Sequence, residues 1–371
     1  MRKFMKEPKI LIFDKFLGYG VGGAQHSFHY LLKNLSGKFK FVGCDVKKSF
    51  SAPKYKIEDF DVERIPIKEI PRFPYLEFFI NRKRVSDFFC KSSGDFLFAQ
   101  SLWAPLAINS FSGKAVYFVR DEYNLNRVPN YFSGLKFLAK EIYIFSQSPF
   151  LKQFFSDNKK TMEKATLIIA NSNFIKNQIF KIFNRQSEVI YPIIDVLTLQ
   201  KINLPPLRER PFLTLIGSEP IKGSEVVKKI AAEMKDKQFM IVGRDIAAPR
   251  REENILYQPW LKDPLEVYKK TKILLVPSLI EEAFARVPVE GAALGIPSLA
   301  SKKGGMPEFL EEKFLVRDIW NIEEWVEKIL DIEKNYSDYA EYLKQKSLKF
   351  DAKNQVEKFK KISREKLNLN L

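Results

Sequence analysis

Two glutamates eight residues apart, Glu282 and Glu290, sit in the stretch EEAFARVPVEGAALGIPSLASKKGGMP, Glu281 to Pro307. The apolar run before it, KILLVPS (Lys272 to Ser278), reads as a buried parallel strand. A helix is expected to start near Arg286, with Pro288 in its first turn, where a missing N–H costs nothing. A strand-to-helix turn of this kind sets Glu282 at the mouth of the loop and Glu290 about one turn inside the helix. Both carboxylates can then face the crevice at the carboxyl end of a parallel strand, where open α/β sheets bind ligands, or stand as solvated helix-start acids favoured by the helix dipole. A further strand, Ile296 to Ser301, ends in a loop with Gly304, Gly305 and Pro307. Carboxylates for hydroxyls and helix-start amides for phosphates suit a sugar nucleotide.

The elements that must hold these groups alternate between strand and helix. KILIFD (Lys9 to Asp14) is the first strand. A loop with Gly18, Gly20, Gly22 and Gly23 follows, and Ala24 to Leu35 has helical apolar spacing. Further strands are expected at Phe39–Gly43, Phe96–Ser101, Ala115–Asp121, Thr166–Asn171 and Glu188–Pro192. Pro205, Pro206 and Pro211 mark a linker. A second alternation runs from the strand Phe212–Gly217 to the helix Arg286–Leu294, and the tail from about Ile322 to Leu367 reads as charged helices. The expectation is two α/β domains, 1–200 and 201–348, enclosing a cleft, with a final helix at 349–371 crossing back onto the first.

The formal charge of +17 is uneven: residues 1–200 hold 31 Lys+Arg and 18 Asp+Glu, residues 201–371 hold 31 and 27. A basic front half fits nucleic acid, an anionic membrane surface, an anionic acceptor or simply a solvated basic face. Tyr131 to Phe155, rich in Phe, Tyr and Lys, reads either as a core-facing helix or as an interfacial amphipathic surface. Cys44 and Cys90 lack metal-ligand spacing and fit free thiols in a reducing compartment. The first residues carry no signal-peptide pattern, and no run approaches the ~18 apolar residues that span a bilayer. A cytoplasmic protein is expected, peripheral at most on the membrane. Asp59-Phe60-Asp61 matches a D-x-D metal motif without a nucleotide-binding context, and His26 and His29 lack a third metal ligand. No nucleic-acid-binding module is recognised.

EEAFARVPVEGAALGIPSLASKKGGMPEFL resembles the signature of the retaining family 4 glycosyltransferases of GT-B fold. Glu282, Phe284, Ala285, Arg286 and Glu290 match its two glutamates and the residues between them, with Ala285 where a glycine is commoner. GVGGAQHSFHYLL looks like that family's first glycine loop, GSEPIKG like its phosphate turn, and NILYQPWLKDPLEVYKKTKILLVPS like its base-binding strand and following helix. TMEKATLIIANSNF and VIYPIID look like the strands closing the first domain; the likeness is thinnest at 45–95.

The resemblance implies roles. Glu290 would bind the ribose hydroxyls and Glu282 the transferred sugar, near the backbone amides of Phe284 to Arg286. Lys222 would neutralise the diphosphate, Gly22 and Gly23 would close on it, and the base would lie near Trp260. Ser218 stands where many members have an arginine, so Arg244 or Arg286 is expected to supply that cation. Arg120 and Asp121 stand where many members have a histidine facing acceptor and sugar. The implied protein is a metal-independent, cofactor-free, retaining transferase. It would move a sugar from a nucleotide-sugar donor to a glycan or lipid-linked acceptor in envelope or polysaccharide synthesis. Alternatives are a GT-B enzyme of other chemistry, such as a nucleotide-sugar epimerase, or a basic binder of nucleic acid or membrane.

Overall fold

The computed structural model describes residues 7–18, 23–46, 61–70, 73–127, 145, 147–261 and 263–371. The chain divides into two compact units, Met1–Ile193 with Gln355–Leu371, and Ile194–Asn354.

The first unit is built on seven parallel strands: β1 (Lys9–Phe13), β2 (Lys38–Asp45), β3 (Val62–Pro66), β4 (Phe96–Gln100), β5 (Lys114–Val119), β6 (Leu167–Ala170) and β7 (Glu188–Val189). Their spatial order is β3-β2-β1-β4-β5-β6-β7. The order reverses between β1 and β4, so the topological switch point lies at their carboxyl ends. Strands such as KILIF and FLFAQ are apolar throughout because a parallel sheet is covered on both faces. Helices Gly23–Lys33, Pro74–Lys91, Ala104–Ser110 and Ser148–Lys164 provide cover. Phe28 meets Phe118 edge-on at 5.0 Å, and Phe13 meets Phe89 at 4.9 Å.

The last helix, Ala352–Leu367, contributes to this unit from Gln355 onward. Phe359 is fully buried, with ring centroids 5.8 Å from Phe98 and 5.6 Å from Phe118. The Gln355 side chain accepts from the Tyr191 N–H at 3.1 Å. A segment distant in sequence thus completes the core of the first sheet.

The carboxyl edge of that sheet holds a buried polar cluster. Asp14 follows β1; its carboxylate accepts from the Phe16 N–H at 2.8 Å and from the Gln100 amide at the end of β4. The Gln100 oxygen accepts from Arg120 Nε at 3.3 Å. Arg120 is 7% exposed and lies over Phe118 at 5.3 Å. Burial raises the Asp14 carboxyl to about 6, although the Gln100 hydrogen bond pulls it back down. His29, buried on the first helix, accepts from the Gly18 N–H at 3.3 Å, and burial lowers it to about 4.

The second unit repeats the plan with β8 (Phe212–Ile216), β9 (Gln238–Gly243), β10 (Arg250–Glu252), β11 (Ile255–Pro259), β12 (Thr271–Val276), β13 (Ser298–Ser301) and β14 (Leu315–Val316). The order is β10-β11-β9-β8-β12-β13-β14, parallel except for the β10–β11 pair. Its switch point lies between β8 and β12.

Two outcomes follow from this packing. Phe359→Ala is expected to lower stability by about 3–5 kcal/mol, seen as an earlier denaturant midpoint in the transition of the first unit. The second concerns acid. Between about pH 6 and pH 4 the folded chain holds a proton on Asp14 that the unfolded chain releases, so this group adds stability as pH falls. The unfolded chain takes up a proton that folded His29 refuses, so that group removes stability over the same fall. Asp14→Asn should therefore steepen acid destabilisation in this window, and His29→Gln should flatten it. Each change is about 2–3 kcal/mol across the window, read as the denaturant midpoint against pH.

Candidate active site

The loops after β8 and β12 meet at the switch point of the second sheet. The Leu279 N–H donates to the Ile221 carbonyl at 2.9 Å. Gly223, with φ +87°, lies so close that a Cβ there would stand 2.1 Å from the Pro277 carbonyl oxygen. Only glycine meets both conditions. This contact brings Lys222 to Glu282: Lys222 Nζ lies 2.5 Å from Glu282 Oε1, and Ser278 Oγ donates to the same oxygen at 2.8 Å. The loop after β13 closes over the glutamate's backbone. Its Gly305 N–H donates to the Glu282 carbonyl at 2.7 Å, and Gly304, at φ +57°, would carry a Cβ 2.2 Å from that oxygen.

The second glutamate lies on the helix Arg286–Ala293. Glu290 Oε1 accepts from Arg286 Nε at 3.0 Å and Nη2 at 2.9 Å, and Oε2 accepts from the Tyr268 hydroxyl at 2.8 Å. Tyr268 is 3% exposed. Burial first, and the Glu290 charge second, hold its phenol well above the usual range, so it is a permanent donor to Glu290. The Phe284 ring is buried against Phe350 at 5.4 Å, and Ala285 is the residue that precedes the helix. The groups that Phe284 and Ala285 offer a ligand are therefore backbone amides.

In the turn from Gly217 to Gly223, the Ser218 hydroxyl donates to Asp245, which follows β9. The Arg244 guanidinium lies over the Trp260 ring at 5.1 Å, and the Trp260 N–H donates to the Gly243 carbonyl at 2.9 Å. Trp260 remains 43% exposed. Of the two arginines expected to stand in for one at Ser218, Arg244 is stacked on Trp260 and Arg286 is bound to Glu290. Ser278, Tyr268 and Asp245 went unrecognised in the sequence. Tyr268 and Ser278 lie inside the segment resembling the base-binding region, but spacing alone does not show which side chains turn toward the glutamates.

In the first unit Gly23 opens the helix Gly23–Lys33, while Gly22 lies outside the described residues. Arg120 is buried in the Asp14–Gln100 cluster. Asp121 keeps exposed surface and accepts from the Asn124 N–H at 3.2 Å, while desolvation by its surroundings raises its carboxyl above the ordinary range. Of the D-x-D triplet only Asp61 is described, as an exposed residue ahead of β3. Most of Tyr131–Phe155 also lies outside the described residues; its last part opens the helix Ser148–Lys164. Among the described residues, no group of three or more His, Cys, Asp or Glu could hold a metal ion, and no helix is long and apolar enough to cross a membrane.

Residues 209–366 match the family model of the glycosyl transferases group 1. Spore coat protein SA of Bacillus subtilis (strain 168) is 32% identical over 74 residues, which cover 19% of this chain and only 20% of that protein. Among solved structures, Anabaena Alr3699/HepE in complex with UDP-glucose matches with a TM-score of 0.72 at 16% identity, over 96% of this chain and 100% of that one. Sucrose-phosphate synthase from Thermosynechococcus elongatus matches with a TM-score of 0.72 at 14% identity, over 98% and 100%. At such identities the likeness is one of fold, and the fold is GT-B. The group 1 segment contains Lys222, Glu282, Glu290 and every partner described around them. The match to the glycosyl transferases group 1 thus spans less than half of the chain, the part that holds these groups, and the chain as a whole has the GT-B fold.

Proposed function

We propose that the protein moves a sugar from a nucleoside-diphosphate donor to a hydroxyl of a glycan or lipid-linked acceptor. The transfer retains the anomeric configuration, needs no metal ion, and serves the synthesis of envelope or polysaccharide glycans from the cytoplasmic side. One observation carries the reading: a lysine and two glutamates, each with defined partners, lie on the loops and helix that follow β8 and β12, at the switch point of the group 1 segment. Anabaena HepE, of the same fold, is seen with UDP-glucose, which makes that donor the first to test.

In this reading Glu290 accepts the ribose hydroxyls on lone pairs that Arg286 and Tyr268 leave over. Lys222 exchanges its carboxylate partner for the oxyanion of the diphosphate, which releases Glu282 to take hydroxyls of the sugar. As the bond from the anomeric carbon to the diphosphate oxygen breaks, negative charge grows on that oxygen. Lys222 and the amides of Phe284 to Arg286 stabilise it. The acceptor hydroxyl attacks the same face and passes its proton to the departing phosphate oxygen. No protein base is required, and Lys222 supplies the cation that a metal supplies elsewhere. Asp121, exposed where Arg120 is buried, is the group available to an acceptor.

Calorimetric titration with a panel of nucleotide sugars, with and without chelator, tests the donor. One nucleotide sugar should bind equally well in both conditions. Glu290→Ala and Lys222→Ala should each weaken nucleoside-diphosphate binding about 10- to 100-fold. Absence of binding, or binding only with added metal, would falsify the reading, as would an inverted anomer in the product by NMR. Tyr268→Phe should weaken UDP binding about 3- to 10-fold while leaving the affinity of its 2′,3′-dideoxy analogue unchanged, because the lost hydrogen bond acts through Glu290 on the ribose hydroxyls.

A further inference from the structure

The net charge of +17 belongs to one unit alone. Met1–Ile193 with Gln355–Leu371 carries 36 Lys+Arg and 19 Asp+Glu, whereas Ile194–Asn354 carries 26 of each. On the charged unit, the helix Pro74–Lys91 is apolar on two faces. Tyr75, Phe78, Val85 and Phe89 point inward and are buried. Facing the other way are Phe73, the residue just before the helix, 38% exposed, and Ile80, 43% exposed, followed one turn on by exposed Lys83 and Arg84. Phe79, 45% exposed, extends the apolar half sideways, its ring 5.1 Å from that of Phe150 in the first turn of the helix Ser148–Lys164.

We propose that this outward face of Pro74–Lys91, with Phe150 beside it, docks on an anionic lipid bilayer. Three large apolar side chains exposed on one helix and the residue that leads into it are a standing cost in water, and such patches mark contact surfaces. The occupant is argued from charge. The patch passes directly into Lys83 and Arg84 on a unit of high positive charge, and aromatic and aliphatic side chains flanked by cations are what the headgroup boundary of an anionic membrane accommodates. Asp87 is the one acid among the outward residues that follow Ile80, and Arg82 is held by Asp157 at 2.9 Å with its side chain 44% exposed. Nucleic acid would use the cations but gains nothing from burying Ile80. Docking is interfacial, with the face laid on the headgroups and the helix itself not inserted across the bilayer. It would hold the transferase at the surface where lipid-linked acceptors reside, but it does not depend on the donor chemistry.

The test is flotation of the full chain with phosphatidylcholine vesicles, with and without phosphatidylglycerol, at low and physiological salt. The expected result is binding to the anionic vesicles that weakens with salt. Phe79→Ser with Ile80→Ser should reduce it about tenfold, and Lys83→Gln with Arg84→Gln should reduce it by a similar factor. Both double variants replace exposed side chains and should keep the wild-type melting midpoint. If either melts early, the single variants Ile80→Ser and Lys83→Gln serve in its place, each expected to reduce binding about threefold. Wild-type protein that ignores anionic vesicles, or double variants that float like wild type, overturn the proposal. So does binding to single-stranded RNA, stronger than to vesicles, that needs Lys83 and Arg84 but not Phe79 and Ile80. Because the readout contains no nucleotide sugar, these outcomes are independent of whether the donor assignment stands.

Discussion

The ion pair between Lys222 and Glu282 is the contact on which the candidate site depends. It joins two loops that the chain separates by 60 residues, and it exists because those loops pack backbone to backbone across the switch point. Gly223 must be glycine so that the turn from Gly217 to Gly223 can lie against Pro277, and Gly304 must be glycine so that the loop after β13 can lie against Glu282. The pair is only partly buried, with 33% of the lysine side chain and 16% of the glutamate side chain exposed. Neither charge is sealed away from solvent, so each can exchange its partner for another of the same sign. Both groups are therefore open to exchanging partners with a ligand.

Glu290 works by the opposite principle. Its two oxygens are held by Arg286 and by a buried tyrosine whose hydroxyl stays protonated because burial and the carboxylate both oppose its ionisation. A carboxylate fixed at both oxygens presents its remaining lone pairs in set directions, which is what selective recognition of paired hydroxyls requires. One glutamate is thus paired with a partly exposed lysine, and the other is held at both oxygens. The difference lies in the partners that neighbouring loops supply, since the two side chains are identical.

The sheets and the pair of glutamates were legible because their signals are local. Apolar strands such as KILIF and KILLV cannot be mistaken for half-exposed ones, and the glutamates sit in a motif nine residues long. The partners were not legible because they depend on contacts between segments. Tyr268 ends a single helical turn, Leu265–Tyr268, and meets a carboxylate 22 residues on. Asp245 reaches Ser218 only because β8 and β9 are neighbours. Arg244 reads as a free cation in sequence, and its stacking on Trp260 appears only once β9 and β11 pair. The helix Pro74–Lys91 escaped notice because apolar residues on both of its faces blur the single stripe that marks a surface helix, and because the family likeness is thinnest there.

Arg120 shows how a matched position can change its work. A guanidinium that is 7% exposed stays charged and so needs a counter-charge nearby. Asp14, with its carboxyl at about 6, is ionised at neutral pH and supplies one through Gln100. Gln100 can bridge them because its amide gives a donor to the carboxylate and an acceptor to the guanidinium. The ends of β1, β4 and β5 are thereby tied into one nearly neutral assembly. A histidine at this position titrates near neutral pH and can turn outward, whereas Arg120 is committed to holding the sheet edge together. The residue type at the end of β5 therefore shapes that edge, and in this chain the side chain beside it with exposed surface is that of Asp121.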